Sequence, residues 1–286
     1  MTIHNPGKKE IRYSPLWLLS DKLPRDRATI NVWARSLYAL YPDINRIIHQ
    51  HGLLIMNVYQ LMEGSSDGAN KFCKEQLEDL NFPVLIEAIV REYFMIGEVF
   101  LHLELNERES RWSNVYIQNP DYILVKKAVG DREQIFLRPD ENLRRICFSN
   151  KSEDIEVCKS FPSDAVESIK KGENIFVNPH YFWHMSHKVS PYDIRGSSFL
   201  LPLFNMVIEP DYPEKRQIIR EFLGDITSLE GRNAKDILFM KYLSIIEQLE
   251  YWLNDRVLAM ICKVRNLDGD LPRVKFDRDK LSEFIV

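Results

Sequence analysis

GEVFLHLELN, residues 97–106, is the stretch that decides the fold. Val99, Leu101 and Leu103 point to one face of the segment, and the residues between them point to the other face. This period of two is typical of a strand with one buried face. Before Gly97 the apolar residues instead recur every three or four positions, as they do on amphipathic helices. The chain is therefore expected to change from helix to strand at this glycine.

Helices are predicted on the N-terminal side of that strand. One covers 26–41 and stops before a proline, and a second covers 42–52, with proline first and glycine last. The glycine- and serine-rich stretch GSSDGAN at 64–70 predicts a loop, with a polar helix after it. A further helix is expected to open at Pro83 and to lead into the strand.

Short strands are predicted on the C-terminal side. The segments 114–118 and 122–126 are expected to pair about an Asn-Pro-Asp turn at 119–121, because those three residues are a strong turn signal. Further strands at 134–137 and 145–148 favour an antiparallel sheet over a parallel one.

The last part of the chain is predicted to be mainly helical. Its longest element is a run from 234 to 264, in which apolar residues surround more than half of the circumference. We expect one face of this helix to stay exposed in the isolated chain until another subunit covers it. Shorter helices are predicted at 163–171, 199–208 and 213–229.

These elements together predict an α+β fold. Helices flank a central antiparallel β region, and a long helical C-terminal third follows. The predicted regions are a helical one over 1–96, a β-rich one over 97–195, and a helical one over 196–286 that reads as incomplete because no stop signal follows its last turn.

Composition excludes several classes of protein. The chain has 286 residues and is 45% hydrophobic, which is enough for a sizeable core. Its four cysteines form no CxxC pair, so neither a zinc knuckle nor a disulfide framework is indicated, and a reducing compartment fits best. No stretch has the uninterrupted apolar length of a membrane span or of a secretory signal. The net charge of −4 does not favour tight DNA binding.

No strong catalytic motif is present in the sequence. It has no glycine-rich phosphate cradle and no GxSxG elbow. The Gly196-Ser197-Ser198 stretch resembles such an elbow only superficially, and either serine is better interpreted as a cap for the segment that follows. The chain is therefore predicted to be no enzyme and to use no cofactor.

The most enzyme-like feature is a group of histidines at His180, His184 and His187, with Asp193 nearby. Imidazole and carboxylate are ligands that zinc or manganese selects, so a metal-dependent nuclease or hydrolase is one alternative. His180 and His184 would share a face only on a helix, whereas the aromatic residues between them favour an extended segment. A structural role, with imidazoles hydrogen-bonded near a turn, is the preferred interpretation.

Two stretches together resemble the portal proteins of tailed bacteriophages. The first is EYFMIGEVFLHLEL at 92–105 followed by WSNVYIQNPDYILV at 112–125, and the second is HMSHKVSPYDIRGSSFLLPLF at 184–204. The order of their elements is similar to that of the family's wing-like part. It is a helix, a strand opened by glycine and a turn, and then a histidine, a polar loop, an arginine and Gly-x-Ser. The residues that carry the resemblance are Gly97, Asn119, Pro120, Asp121, His184, His187, Arg195, Gly196 and Ser198.

The resemblance implies a structural subunit of a homo-oligomeric ring, commonly of about twelve copies, through which double-stranded DNA passes without sequence specificity. It implies terminase, scaffold, capsid and head-tail connector proteins as partners. The location would be the capsid vertex of the virion, and the host cytoplasm during assembly, with no membrane. Portal subunits are usually longer, so truncation or a split subunit is expected.

A third hypothesis is an interaction module of a host protein, with the 234–264 helix as its docking surface. The sequence itself gives no motif for such a partner.

We expect Gly196 to have a positive φ or to be closely packed, because it lies between a polar loop and the next apolar segment.

Overall fold

Helices from both ends of the chain share one apolar core, and small sheets lie beside it. The computed structural model describes residues 23–127, 133–159, 163–188, 190, 192–204, 219, 223, 232–267 and 269–285. The described elements mix helices with antiparallel strands, as the α+β prediction requires. No helix within these ranges is long and apolar enough to cross a membrane.

The N-terminal helices follow their local signals. Asp26 caps the first, because its carboxylate accepts from the backbone N–H of Thr29 at 2.9 Å. Gly97 ends the fourth at φ 86°, a conformation that glycine adopts without strain. The helices are α1 (Arg27–Leu40), α2 (Pro42–Val58), α3 (Asp67–Asp79) and α4 (Phe82–Ile96).

Two helix boundaries differ from the prediction. Helix α2 continues through Gly52 to Val58, because this glycine is buried against Glu87 of α4 and tertiary packing outweighs its weak helix propensity. Helix α3 begins inside the predicted loop at Asp67, because the Ser66 hydroxyl accepts from the Ala69 N–H and caps it.

Two three-stranded antiparallel sheets form the β region. The first has the order β3 (Arg111–Gln118), β2 (Glu98–Asn106), β7 (Phe182–Ser186). The second has the order β4 (Ile123–Lys127), β5 (Glu133–Leu137), β6 (Ile175–Phe176). The predicted pairing of 114–118 with 122–126 is therefore wrong.

The Asn-Pro-Asp turn carries the chain from one sheet to the other. A 3-10 turn at Pro120–Tyr122 follows β3 and leads directly into β4, which pairs with β5 instead. The turn signal itself was local and correct. The predicted pairing of the two flanking strands is incorrect, because the partner of each strand depends on side chains far away in the sequence.

Three short helices lie between β5 and β6 of the second sheet: α5 (Glu141–Phe148), α6 (Ser152–Lys159) and α7 (Ser163–Lys171). The strand predicted at 145–148 is wrong, since these residues belong to α5. The Asp140 carboxylate accepts from the Leu143 N–H at 2.5 Å and starts a helix there. The helix predicted at 163–171 is confirmed, and Gly172 follows it at φ 72°.

Most apolar side chains of the C-terminal helical run are buried in the main hydrophobic core. It comprises α8 (Arg232–Tyr251), a π-helical segment (Trp252–Leu258) and α9 (Ala259–Val264). The expected exposed apolar face is reduced to a few side chains in the described part of the run, because most of its apolar residues are buried in the main core while Met240, Tyr251 and Val264 remain exposed. The buried residues are Leu238, Tyr242, Ile245, Ile246, Leu249, Trp252, Leu253, Val257, Leu258, Ile261 and Cys262.

The π-helical segment docks the last strand onto the core. Asn254 donates to the Val274 carbonyl at 2.9 Å and accepts from its N–H at 2.7 Å, which replaces a strand partner. Strand β8 (Arg273–Phe276) pairs antiparallel with β1 (Tyr59–Met62), and α10 (Arg278–Ile285) follows.

Two predicted helices lie partly or mostly outside the described residues. Within 199–208, Leu201–Phe204 forms a 3-10 turn, and residues 205–208 lie outside the described residues. Of the helix predicted at 213–229, only Ile219 and Leu223 are described, and both are buried.

Candidate functional site

Two glycines bring the start of β2 against the loop that precedes the 3-10 turn at 201–204. A Cβ on Gly196 would collide with the Gly97 carbonyl, and one on Gly97 would collide with the backbone of Ser197. The Gly97 carbonyl accepts from the His187 N–H at 2.8 Å, and the His187 carbonyl accepts from the Ser197 N–H at 2.8 Å. The prediction for Gly196 holds in its second form, close packing.

Glu98 lies at the centre of this crossing and is fully buried. Arg195 donates to its carboxylate from Nε at 2.9 Å and from Nη2 at 2.5 Å. Arg27 of α1 contacts it at 3.0 Å, His184 of β7 at 3.2 Å, and the N–H of Gly196 at 3.0 Å. One carboxylate of β2 therefore joins three other segments: α1, β7 and the loop that contains Arg195 and Gly196.

Arg195 extends this junction to the turn between the sheets. Its guanidinium donates to the carbonyls of Ile123 at 2.9 Å and Pro120 at 3.1 Å. It also lies over the Phe100 ring, 5.2 Å from the centroid. Because all of these partners have fixed positions, the planar fork holds the turn, strand β2 and the loop in one arrangement.

The Asn-Pro-Asp turn connects the junction to helix α1. The Asn119 side chain accepts from the Asp121 N–H at 3.1 Å and closes the turn locally. The Asp121 carboxylate accepts from Asn31 at 2.6 Å and from Arg35 at 3.1 Å, both on α1.

His184 bridges the two three-stranded sheets. Its Nε2 contacts Glu98 of β2, and its Nδ1 lies 2.8 Å from Glu133 of β5. Its ring stacks on Phe100 at 4.3 Å with an interplanar angle of 6°, and its side chain is only 2% exposed. Glu133 is also paired with Lys188 at 2.7 Å.

Two further motif residues, His187 and Ser198, pack beside the contact between Gly97 and Gly196. The His187 ring stacks on Phe199 at 3.9 Å. The Ser198 hydroxyl donates to the Met95 carbonyl at 2.5 Å and accepts from the Leu200 N–H at 3.0 Å, so it ties the end of α4 to the following turn. Ser198 thus caps, as predicted for this serine pair, and is buried.

The cluster is held in its charged form. Burial would raise the pKa of the Glu98 carboxyl, but His184, Arg195 and Arg27 outweigh it and hold that pKa well below its usual range. Burial would also raise the pKa of Glu133, but His184 and Lys188 lower it to about 2. Burial disfavours the imidazolium of His184, yet the two carboxylates raise its pKa above the ordinary value.

The residues of the alternative metal site, His180, His184, His187 and Asp193, do not form a ligand cluster in the described structure. His180 is exposed on a turn, and both ring nitrogens of His184 are already engaged by carboxylates. Asp193 accepts from the Ser190 N–H at 2.9 Å instead of approaching an imidazole. Within the described part of the chain, no group of three or more His, Cys, Asp or Glu is placed to hold a metal ion.

The nine motif residues are thus brought together, but around residues that the sequence did not single out. Glu98, Arg27 and Glu133 were missed. The sequence contains one signal for Glu98. This residue lies on the same face of β2 as the aromatic Phe100, so that face need not be exposed to solvent. Nothing local marks Arg27 or Glu133. The arrangement is an ionic junction in which the Glu98 carboxylate and both ring nitrogens of His184 have partners within the chain.

No protein-family model matches the chain, and no curated protein matches it either.

Proposed function

We propose that this chain is a structural subunit of a phage portal ring, the channel for viral DNA packaging and ejection. The observation that carries the proposal is the meeting of the two sequence stretches that resemble portals. Their motif residues converge on Glu98, through direct bonds from His184, Arg195 and Gly196. Motif residues that are distant in the sequence thus meet at one buried junction. This meeting offers a physical explanation for their occurrence together.

A joint of this kind suits a mechanical role. The buried Glu98 carboxylate bonds to α1, to β7 and to the loop at 195–198, and His184 carries the connection on to Glu133 of the second sheet. Buried, fully paired charges favour one arrangement over alternatives, since a displaced charge would lose partners in a medium of low dielectric. A ring subunit that guides DNA benefits from such rigidity.

The charge balance agrees with a channel in which DNA slides. A net charge of −4 avoids the counterion-release affinity that a strongly basic lumen would create. Because most apolar side chains of the 232–264 helical run are buried within the chain, the proposal does not depend on that run as the ring contact. A ring requires a heterologous interface whose rotation closes.

Mass photometry and negative-stain electron microscopy of the purified full chain test the proposal. We expect closed rings, commonly of about twelve subunits, with no retention of double-stranded DNA of any sequence at physiological salt. A monomer that persists up to the highest soluble concentration would contradict it.

The gene's neighbours supply a second test that separates this proposal from a host interaction module. Terminase and capsid genes beside this one are expected. A position within a host operon, without any phage structural gene, would count against a portal.

A further inference from the structure

All four cysteines of the chain lie in two close pairs, although they are widely spaced in the sequence. The sulfurs of Cys73 and Cys262 are 3.5 Å apart, and those of Cys147 and Cys158 are 3.3 Å apart. All four are free thiols in the structure. A disulfide needs a sulfur separation of about 2.05 Å, so a small rotation of each side chain would suffice.

The two pairs differ in their access to solvent. Cys73 and Cys262 are both completely buried in the main core, where α3 meets α9. Cys147 is 6% exposed near the end of α5, and Cys158, near the end of α6, is more exposed. A dissolved reagent can therefore reach the second pair without unfolding of the core.

We propose that Cys147 and Cys158 form a reversible thiol–disulfide site that reacts with low-molecular-weight disulfides. The Cys158 thiolate attacks one sulfur of oxidised glutathione, and a first glutathione thiolate leaves. Cys147 then attacks the Cys158 sulfur of the mixed disulfide, and a second glutathione thiolate leaves. Two protein thiols are oxidised, one glutathione disulfide is reduced, and the two protons pass to water.

The order of attack follows from exposure. Cys158 meets the reagent first because it is the more accessible sulfur. Burial and the contact with Cys158 raise the pKa of the Cys147 thiol to about 11, so this residue is the slower nucleophile and acts once the mixed disulfide is held beside it. Proximity then makes the second step intramolecular.

The bond would staple α6 to α5, which also packs on α7. These helices precede β6, the edge strand of the second sheet. Oxidation is therefore expected to slow hydrogen exchange across 141–159 and to leave the Glu98 junction unchanged.

The chain offers a clean assay, because Lys151 lies between the two cysteines. Trypsin should release ICFSNK, with Cys147, and SEDIEVCK, with Cys158, as separate peptides. After the native, full chain is treated with oxidised glutathione, we expect a cross-linked pair of these peptides in a non-reduced digest, and its loss on addition of dithiothreitol. The peptides with Cys73 and Cys262 should stay unlinked.

Three variants identify the roles. Cys147→Ser should keep one glutathione on Cys158, Cys158→Ser should react much more slowly, and Cys73→Ser should give the same cross-link as the parent. Circular dichroism confirms that each variant is folded. The proposal is overturned if native protein shows no cross-link in excess oxidised glutathione, if separate adducts accumulate on both cysteines, or if Cys73 and Cys262 link first.

Discussion

The carbonyl oxygen of Gly97 occupies the space where a side chain on Gly196 would begin. The two glycines come from opposite sides of the β region, and the bond from the His187 N–H to the same carbonyl fixes their approach. Neither backbone can withdraw without breaking the bond between Gly196 and Glu98. This contact is the geometric condition for the buried ionic joint.

Gly196→Ala should destabilise the protein by about 1–3 kcal/mol, because the new methyl group has no space and the backbone must shift. Gly68→Ala is the matched control: a Cβ there meets nothing closer than the Ser66 hydroxyl at 4.0 Å, and Gly68 lies within α3. The control should leave the free energy of unfolding unchanged or raise it by less than about 1 kcal/mol. Urea denaturation measures both, and equal losses would argue against the crossing.

Glu98→Gln should cost about 3–5 kcal/mol, since it leaves buried cations without their shared carboxylate. Glu104→Gln on the same strand removes an exposed charge that bonds to Asn114 and Tyr116, and should change stability by no more than about 0.5 kcal/mol. Denaturation midpoints of the two variants give the comparison. Similar values for both would show that the joint contributes little.

The cluster of Glu98, His184 and Glu133 should contribute most to stability between about pH 4.5 and pH 6.5. The pKa of Glu133 is depressed from 4.5 to about 2, so its contribution is complete above pH 4.5 and is lost as the pH falls toward 2. The depressed pKa of Glu98 acts in the same direction. The pKa of His184 is raised above 6.5, so its contribution is complete below pH 6.5 and is lost as the pH rises through the folded value.

Thermal unfolding over a pH series measures this profile, and two variants assign its limbs. His184→Gln should flatten the alkaline limb, while Glu133→Gln should flatten the acid limb. His180→Gln is the control, because His180 is exposed and its ring takes no part in the cluster. A stability advantage of the parent over His184→Gln that grows between pH 6.5 and 8 would contradict the sign.

Leu249→Glu should unfold the whole chain. Leu249 is fully buried in α8, and a carboxylate there would cost about 4 kcal/mol or more, a large part of the stability of an ordinary domain. Met240→Glu places the same group on the same helix at a side chain that is 64% exposed, and should be tolerated. Circular dichroism and solubility report the result. A folded Leu249→Glu protein with weakened association would restore the idea of an intersubunit face.

The elements that sequence predicts well have local causes. Asp26 caps α1, Gly97 ends α4, and the period of two in β2 is visible without any partner. Each of these signals acts within a few residues, so the pattern alone suffices.

The failures concern partners that are distant in the sequence. Residues 145–148 have a strand-like composition, but the Asp140 cap and the packing of α5 decide for helix. The all-round apolar pattern of the 232–264 run correctly predicted burial on several sides, yet could not tell whether the same chain or a second one covers it. At the site, the resemblance to portal proteins singled out His184 and Arg195 but not the carboxylate between them.

Strand β1 meets β8 from the far end of the described chain, with Tyr59 opposite Phe276. During translation the first strand leaves the ribosome long before its mate has been made. Until then its backbone donors and acceptors form an open edge that another nascent chain could pair with. Closing this sheet is thus a late folding event that carries a large loop-closure entropy, and a chaperone that shields residues 59–62 should raise the yield of native protein.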